Sequence, residues 1–442
     1  MTIKDLQGHA LTGATPAALD AYEQALHQTR CLVGDPVASV DRALAAAPDM
    51  TMAHALKAWL MLLGTEPSGP AAARACCAAG AALAADERER AHLRGAALLA
   101  DGHWHTAARA LEDLALAHPR DALALQVGHQ LDFFTGDSRM LRDRIARALP
   151  SWDAGTPGFH ALLGMHAFGL EETGDYDAAE RQGQRAVELQ PHDSWGWHAV
   201  AHVAEMRNAP RAGIAWLQPN TTTWAEGSFL AVHNWWHLAL FHLELDDIDE
   251  VLRLYDAAIG GPASSVVLDL LDQSALLWRL MLRGIDVGRR WQPLAERWAA
   301  VGGAGTYAFN DLHAAMACIG ADREAALQAL LAAQDEAMAR DDDNAAFTRE
   351  VGSAATRALV AFGAGDFRTC VELLRPIRHR THRFGGSHAQ RDLIDQTLIE
   401  AALRGGDGAL AAGLIAERAA LRPQGAPTRH WAARSRALNG MA

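Results

Sequence analysis

The sequence predicts an all-α fold, an α-solenoid of tetratricopeptide-like helix-turn-helix repeats. Three observations predict it. Alanine is very abundant and runs of β-branched residues are scarce, which favours helix along the whole chain. One turn signature recurs: Gly102, Trp104, Ala107 and Pro119 lie at offsets of 2, 5 and 17, and Gly174, Tyr176, Ala179 and Pro191 repeat those offsets. The signature supplies a turn glycine, an aromatic packed in the hairpin, a small residue where two helices touch, and a proline that ends the second helix. Related turns at Gly136-Asp137, Asn208-Ala209 and Asp246-Asp247 space the array from Gly102 by 34, 38, 34 and 38 residues. That is the period of hairpins burying one another's apolar faces.

In chain order, 15–29, 36–47, 50–64 and 69–84 read as two less regular hairpins, with Pro16 and Pro36 in first-turn positions. First helices of the repeats, called A, are expected at 86–101, 121–135, 157–173, 192–207, 228–245, 264–284, 306–319, 343–363 and 387–404. A second helix, B, follows each turn. Further turns are expected at Gly320-Ala321, Gly365-Asp366 and Gly406-Asp407, and loops at Gly260-Gly261-Pro262 and Gly302-Gly303. No Ser- or Pro-rich linker intervenes. The expectation is therefore a single α-solenoid domain over 1–442: irregular hairpins to 85, the most regular repeats over 86–262, then degenerate repeats and a C-terminal cap. With so many hairpins the superhelix can nearly close around a central cavity.

The composition narrows the partners. Half of the 442 residues are apolar, enough for a large core. The formal charge of −13 argues against nucleic acid and anionic membrane surfaces. No apolar run reaches the roughly 18–20 residues of a membrane span, and the N-terminal stretch lacks the apolar core of a secretion signal. Five scattered cysteines without CxxC spacing fit a reducing cytoplasm.

Candidate chemistry gathers on the A helices. In HAVAHVAE, His198, His202 and Glu205 fall at i, i+4 and i+7, on one helix face. In HNWWHLALFHLE, His233, His237 and Glu244 share a face at i, i+4 and i+11. A histidine pair at i and i+4 can grip a divalent transition metal, and a carboxylate or third imidazole completes the shell. His198, His202, Glu205, His233 and His237 are the candidate ligands. The same histidines, with His313 of the FNDLH run, are candidates for acid–base catalysis. The general-base glutamate of HExxH is absent, since Ala199 follows His198. The structural alternative is that these histidines hydrogen-bond one another and the backbone between repeats.

Asp269 and Asp272 sit on an otherwise apolar helix, where acids are costly unless paired. They can orient pocket histidines or form ion pairs with Arg279 or Arg283. In GGSHAQRD, Ser387 reads as an N-cap, and His388 and Arg391 lie in the first turn of a helix whose amides favour an anion. Trp236, one of thirteen tryptophans, can wall the pocket. No GxSxG, P-loop, strand-borne GxGxxG or cysteine zinc pattern occurs.

HAVAHVAEMRNAPRAGIAWL, FLAVHNWWHLALFHLELDD, FNDLHAAMACIGA and GGSHAQRDLIDQTLIEAAL together resemble the segments that mark the tetratricopeptide repeat protein 38 family. The resemblance runs from about Phe159 to about Arg422. It implies a tetratricopeptide-like helical fold and carries no activity residue by residue.

Two functions follow as expectations. One is an enzyme or binder acting on a small anionic metabolite in a His/Asp/Glu/Trp-lined cavity, with or without a metal. Ser387, His388, Arg391, Trp236 and Asp272 would then contact substrate. The alternative is a non-enzymatic scaffold that holds a peptide or protein in its concave groove.

Overall fold

The computed structural model describes residues 3–261, 264–423 and 425–440. Pro262, part of an expected loop, lies outside them. The described residues form α-helices with no strand, only two isolated β-bridges, so the all-α helical-repeat fold holds. Contacts divide the chain into two compact units, Met1–Val203 with Asn220–Ala231, and Ala204–Pro219 with Val232–Ala442.

The chain opens with α1 (Pro16–Cys31), α2 (Pro36–Ala46), α3 (Thr51–Leu63) and α4 (Gly69–Ala81). The regular hairpins follow: α5 (Glu87–Ala100) with α6 (Trp104–Ala117), α7 (Ala122–Phe134) with α8 (Ser138–Ala148), and α9 (Phe159–Glu172) with α10 (Tyr176–Leu189). Next come α11 (Ser194–Met206), α12 (Pro210–Leu217) and the short α13 (Thr221–Trp224). They are followed by α14 (Ala231–Glu244) with α15 (Ile248–Leu254), α16 (Val267–Leu282) with α17 (Trp291–Val301), and α18 (Ala308–Gly320) with α19 (Glu324–Met338). The chain ends with α20 (Asp343–Phe347), α21 (Ser353–Gly363), α22 (Phe367–Leu374), α23 (His388–Arg404), α24 (Gly408–Leu421) and α25 (Ala426–Leu438). Pro16, Pro36 and Pro210 occupy first-turn positions, where a missing N–H costs nothing.

One backbone device builds the hairpins. Each A helix ends on a residue at positive φ, such as Gly102 at 88°, Gly174 at 88°, Asn208 at 50° and Asp246 at 68°. The next residue's N–H then reaches back five positions, as in Asp175 to Leu170 and Asp247 to His242, closing a Schellman turn. In Gly-Asp turns the aspartate also caps the B helix: Asp175 accepts from the Ala178 amide, and Asp366 from that of Thr369. The small residues expected at helix contacts, Ala107, Ala179 and Ala186, are fully buried. Tyr176 packs on the cluster of Leu170, Ala179 and Val203.

Two details differ from expectation. The left-handed residue of the turn expected at Gly320-Ala321 is Asp322, φ 56°, because α18 runs through Gly320. The helix expected at 343–363 is interrupted by a π-turn, Thr348–Gly352. There Gly352 lies so close to α18 that a Cβ would stand 2.6 Å from that of Ala308. The widened turn accommodates the contact.

Gly174 has nothing within 4 Å of a Cβ position, so its requirement is purely conformational. Replacing it with alanine should cost about 1–2 kcal/mol through left-handed strain, and with asparagine less. Urea-denaturation midpoints of Gly174→Ala and Gly174→Asn check this; equal midpoints for all three proteins would remove the left-handed requirement.

Candidate functional site

In the first unit, α9 and α11 bring four ionisable side chains inward. His198 is 2% exposed and His202 fully buried, with ring centroids 4.4 Å apart, edge to face. Phe168 stacks on His198 at 5.3 Å and meets His202 edge-on at 5.0 Å, while Trp195 lies 4.6 Å from His198. These aromatic contacts fix the imidazole planes. Glu171 and Glu172, at the last turn of α9, are 1% and 5% exposed. His202 Nδ1 lies 3.5 Å from Glu171 Oε2, and Ser138 donates to Glu172. Glu171, Glu172 and His202 each offer one ligand atom, all within 4.8 Å of one another.

The two glutamates were not among the residues the sequence singled out. Adjacent helical residues do not share a face, and acids at a helix end usually meet solvent. The available signal was their position at the end of the FHALLGMHAFGLEE run, in which His160 and His166 are the only other ionisable residues.

In the second unit, α14 carries His233, half-buried, and His237, fully buried, with ring centroids 4.9 Å apart. Trp236 stacks on His233 at 5.3 Å and stands edge-on to His237. His233 Nδ1 donates to both carboxylate oxygens of Asp272 on α16, at 3.0 and 2.9 Å. That bond selects the tautomer in which Nε2 carries the lone pair, the arrangement of an oriented ligand or base. Of the two readings of Asp272, the structure therefore presents the histidine partner. Arg283 pairs instead with Asp246. Arg279, completely buried, donates to the carbonyls of Ala275 and Ala389 at 3.2 and 2.7 Å and lies 5.3 Å over the Trp236 ring. Burial lowers it to about 10, so it stays a cation.

Glu205 and Glu244 belong to a charge network. Glu205 accepts from Arg422 at 2.9 Å, Asn208 donates to Glu244 at 3.4 Å, and Arg418 grips Asp392 at 2.6 and 3.1 Å. Burial alone would raise Asp392, but Arg418 and Arg422 outweigh it and hold the carboxyl well below its usual range. Burial raises Glu244 against the pull of the same arginines.

Ser387 caps α23 as expected. Its hydroxyl accepts from the Gln390 amide, and the Gln390 side chain accepts from the Ser387 amide. Arg391 donates to the Gly386 carbonyl and lies 3.3 Å from Nδ1 of His388, which is exposed. His313, on α18, donates from Nδ1 to the Phe309 carbonyl at 2.8 Å. Burial pushes His313 down to about 4, with the Arg279 charge adding to it and the carbonyl opposing. It is a neutral imidazole at physiological pH.

Among the described residues no helix is long and apolar enough to cross a membrane. No family model matches the chain. Similar solved structures include the human IFIT1 dimer with m7Gppp-AAAA, at 12% identity over 95% of this chain and 94% of that one, TM-score 0.42. Yeast Tom70 is similar at 13% identity over 96% and 87%, TM-score 0.31. The P58(IPK) TPR domain is similar at 13% identity over 88% and 98%, TM-score 0.20.

The pH dependence follows from His313. Its folded pKa lies below the unfolded value, so the unfolded chain takes up a proton that the fold refuses. Stability contributed by the neutral ring is present above about pH 6.5 and is lost as pH falls toward 4. Asp311, pushed by burial up to about 6, acts in the opposite sense. Comparing wild type with His313→Leu isolates the histidine. Between pH 7.5 and 5.5 the wild type should lose on the order of 1 kcal/mol more than the variant. Parallel profiles in urea titrations would show that His313 is not held neutral.

Proposed function

We propose that the chain binds a divalent transition metal through buried imidazole and carboxylate groups and acts with it on a small anionic molecule. The observation that carries this is the first unit's buried group of Glu171, Glu172 and His202, with ligand atoms within 4.8 Å of one another and His198 one turn away. Metal–ligand bonds of about 2.0–2.2 Å place neighbouring tetrahedral ligands about 3.4 Å apart. The 3.5 Å between His202 Nδ1 and Glu171 Oε2 matches that spacing. It is longer than a strong imidazole–carboxylate hydrogen bond.

Nitrogen and oxygen donors suit zinc, manganese or ferrous iron. Three protein ligands leave a coordination position for water or substrate, and a divalent ion there would polarise a bound oxygen. His198 is the further imidazole of this shell. His233, oriented by Asp272, and His237 are the second unit's candidates for metal binding or proton transfer. Glu205, tied to Arg422, is an outer carboxylate in this reading, and His313 a hydrogen-bonding group. Trp236, Ser387, His388 and Arg391 remain the candidates for substrate contact. The four resembling segments support placing the chain with the tetratricopeptide repeat protein 38 family, which adds fold but no chemistry.

The test is the metal content of untagged protein. Near-stoichiometric zinc, manganese or iron is expected, lost in His202→Ala/His237→Ala and sharply reduced in Glu171→Gln. Apo protein should regain metal and melt several degrees higher on zinc addition. Metal-free protein whose melting ignores zinc and manganese would overturn the proposal and favour the peptide-binding scaffold.

A further inference from the structure

Seven arginines are buried among the described residues: Arg30, Arg88, Arg144, Arg279, Arg391, Arg418 and Arg422. Six have protein partners. Arg88 donates to Asp121 and the Ala10 carbonyl, and Arg144 is bidentate on Asp132. Arg279 and Arg391 donate to carbonyls, Arg418 to Asp392, and Arg422 to Glu205. Arg30, near the end of α1 in the first unit, is 6% exposed and makes no hydrogen bond or ion pair with the described residues. Its Nε and Nη1 are buried without a partner. Glu23 is the acid whose field it feels most, but one Glu23 oxygen accepts from the Leu6 amide and the other has no partner. An unpaired buried guanidinium is expensive.

Arg30 lines a cavity of about 20 Å³ with Gln126, His129, Gln130, Met165 and Trp195, all in the same unit. A water needs roughly 10–15 Å³ on this measure, so a small ion or the head of a larger molecule fits. Two other lining residues also hold unpartnered buried atoms, His129 Nε2 and Trp195 Nε1. His129 Nδ1 donates to the Leu141 carbonyl at 3.3 Å, which makes Nε2 an acceptor in the neutral ring. Burial pushes His129 down to about 3, so the ring is neutral across the physiological range. The cavity thus presents cationic and neutral N–H donors together with an imidazole acceptor.

We propose that this cavity is a binding site for a small, singly charged carboxylate-type anion that also bears an O–H group. The anionic oxygens accept from Arg30 and Trp195, and the hydroxyl donates to His129. Hydrogencarbonate and short 2-hydroxycarboxylates share this chemistry. The site shares no ligand residue with the proposed metal shell, although Trp195 also packs on His198.

The test follows melting of the full chain at constant ionic strength in chloride, replaced stepwise by sodium glycolate, acetate or hydrogencarbonate at fixed pH. Glycolate should raise the melting temperature by about 3 °C at tenfold its half-saturating concentration, and acetate by clearly less. A response to hydrogencarbonate exceeding that to glycolate would identify the inorganic anion as the better ligand. In Arg30→Met both responses should vanish, while the ligand-free variant melts no lower than wild type, because an unpaired buried charge has been removed. Trp195→Phe should weaken the glycolate response about tenfold with Arg30 retained. His129→Phe should abolish the preference for glycolate over acetate. The proposal is overturned if no anion shifts wild-type melting, or if Arg30→Met responds like wild type. It is equally overturned if ligand-free Arg30→Met melts well below wild type, which would make Arg30 a structural cation.

Discussion

Every regular hairpin in the chain turns on one residue at positive φ, and the remaining architecture depends on that turn. The left-handed residue lets the following N–H satisfy a carbonyl that the A helix leaves open, and in several repeats the next aspartate satisfies an open amide of the B helix. Two residues thereby settle orphan groups of two helices and reverse the chain. The spacing of these turns sets which turns of successive A helices meet. Within the first unit it brings the end of α9 to the middle of α11, so Glu171 faces His202. Within the second it brings α14 to α16, so His233 faces Asp272.

This explains what was legible in the sequence. Turn chemistry and helical period are local, so the helices and most turns were readable. Where a turn departs, the cause is a neighbour: the π-turn at Thr348–Gly352 answers the approach of Ala308, which lies far away in the chain. Residue types suited to a site were also readable, because ionisable groups in apolar helices stand out. Their partners were not. Asp272 had three plausible partners by type, and repeat geometry assigned it His233, leaving Arg279 to backbone carbonyls. Glu171 and Glu172 resembled a solvated helix end, and Arg30 an ordinary charge near the end of a surface helix. Nothing local distinguishes a buried arginine that has partners from one that lacks them.

Desolvation then sorts the histidines by what each nitrogen meets. His313 and His129 both donate from Nδ1 to a carbonyl in an apolar setting, and burial keeps both rings neutral. A neutral ring in that tautomer offers only an acceptor at Nε2, so at physiological pH either residue can accept a hydrogen bond or bind a metal but cannot supply a proton. His233 donates from Nδ1 to a carboxylate, which fixes the tautomer and the plane of its ring. In the second unit His233 and His242 thus meet carboxylates at Nδ1, whereas His313 meets a backbone carbonyl. Arg279 sharpens the difference, because a cation kept charged by two carbonyls and the Trp236 face adds to the field that holds His313 neutral. On α18 itself, Asp311, pushed by burial up to about 6, changes charge within the range in which His313 stays neutral, so the helix carries two buried groups that answer pH in opposite senses.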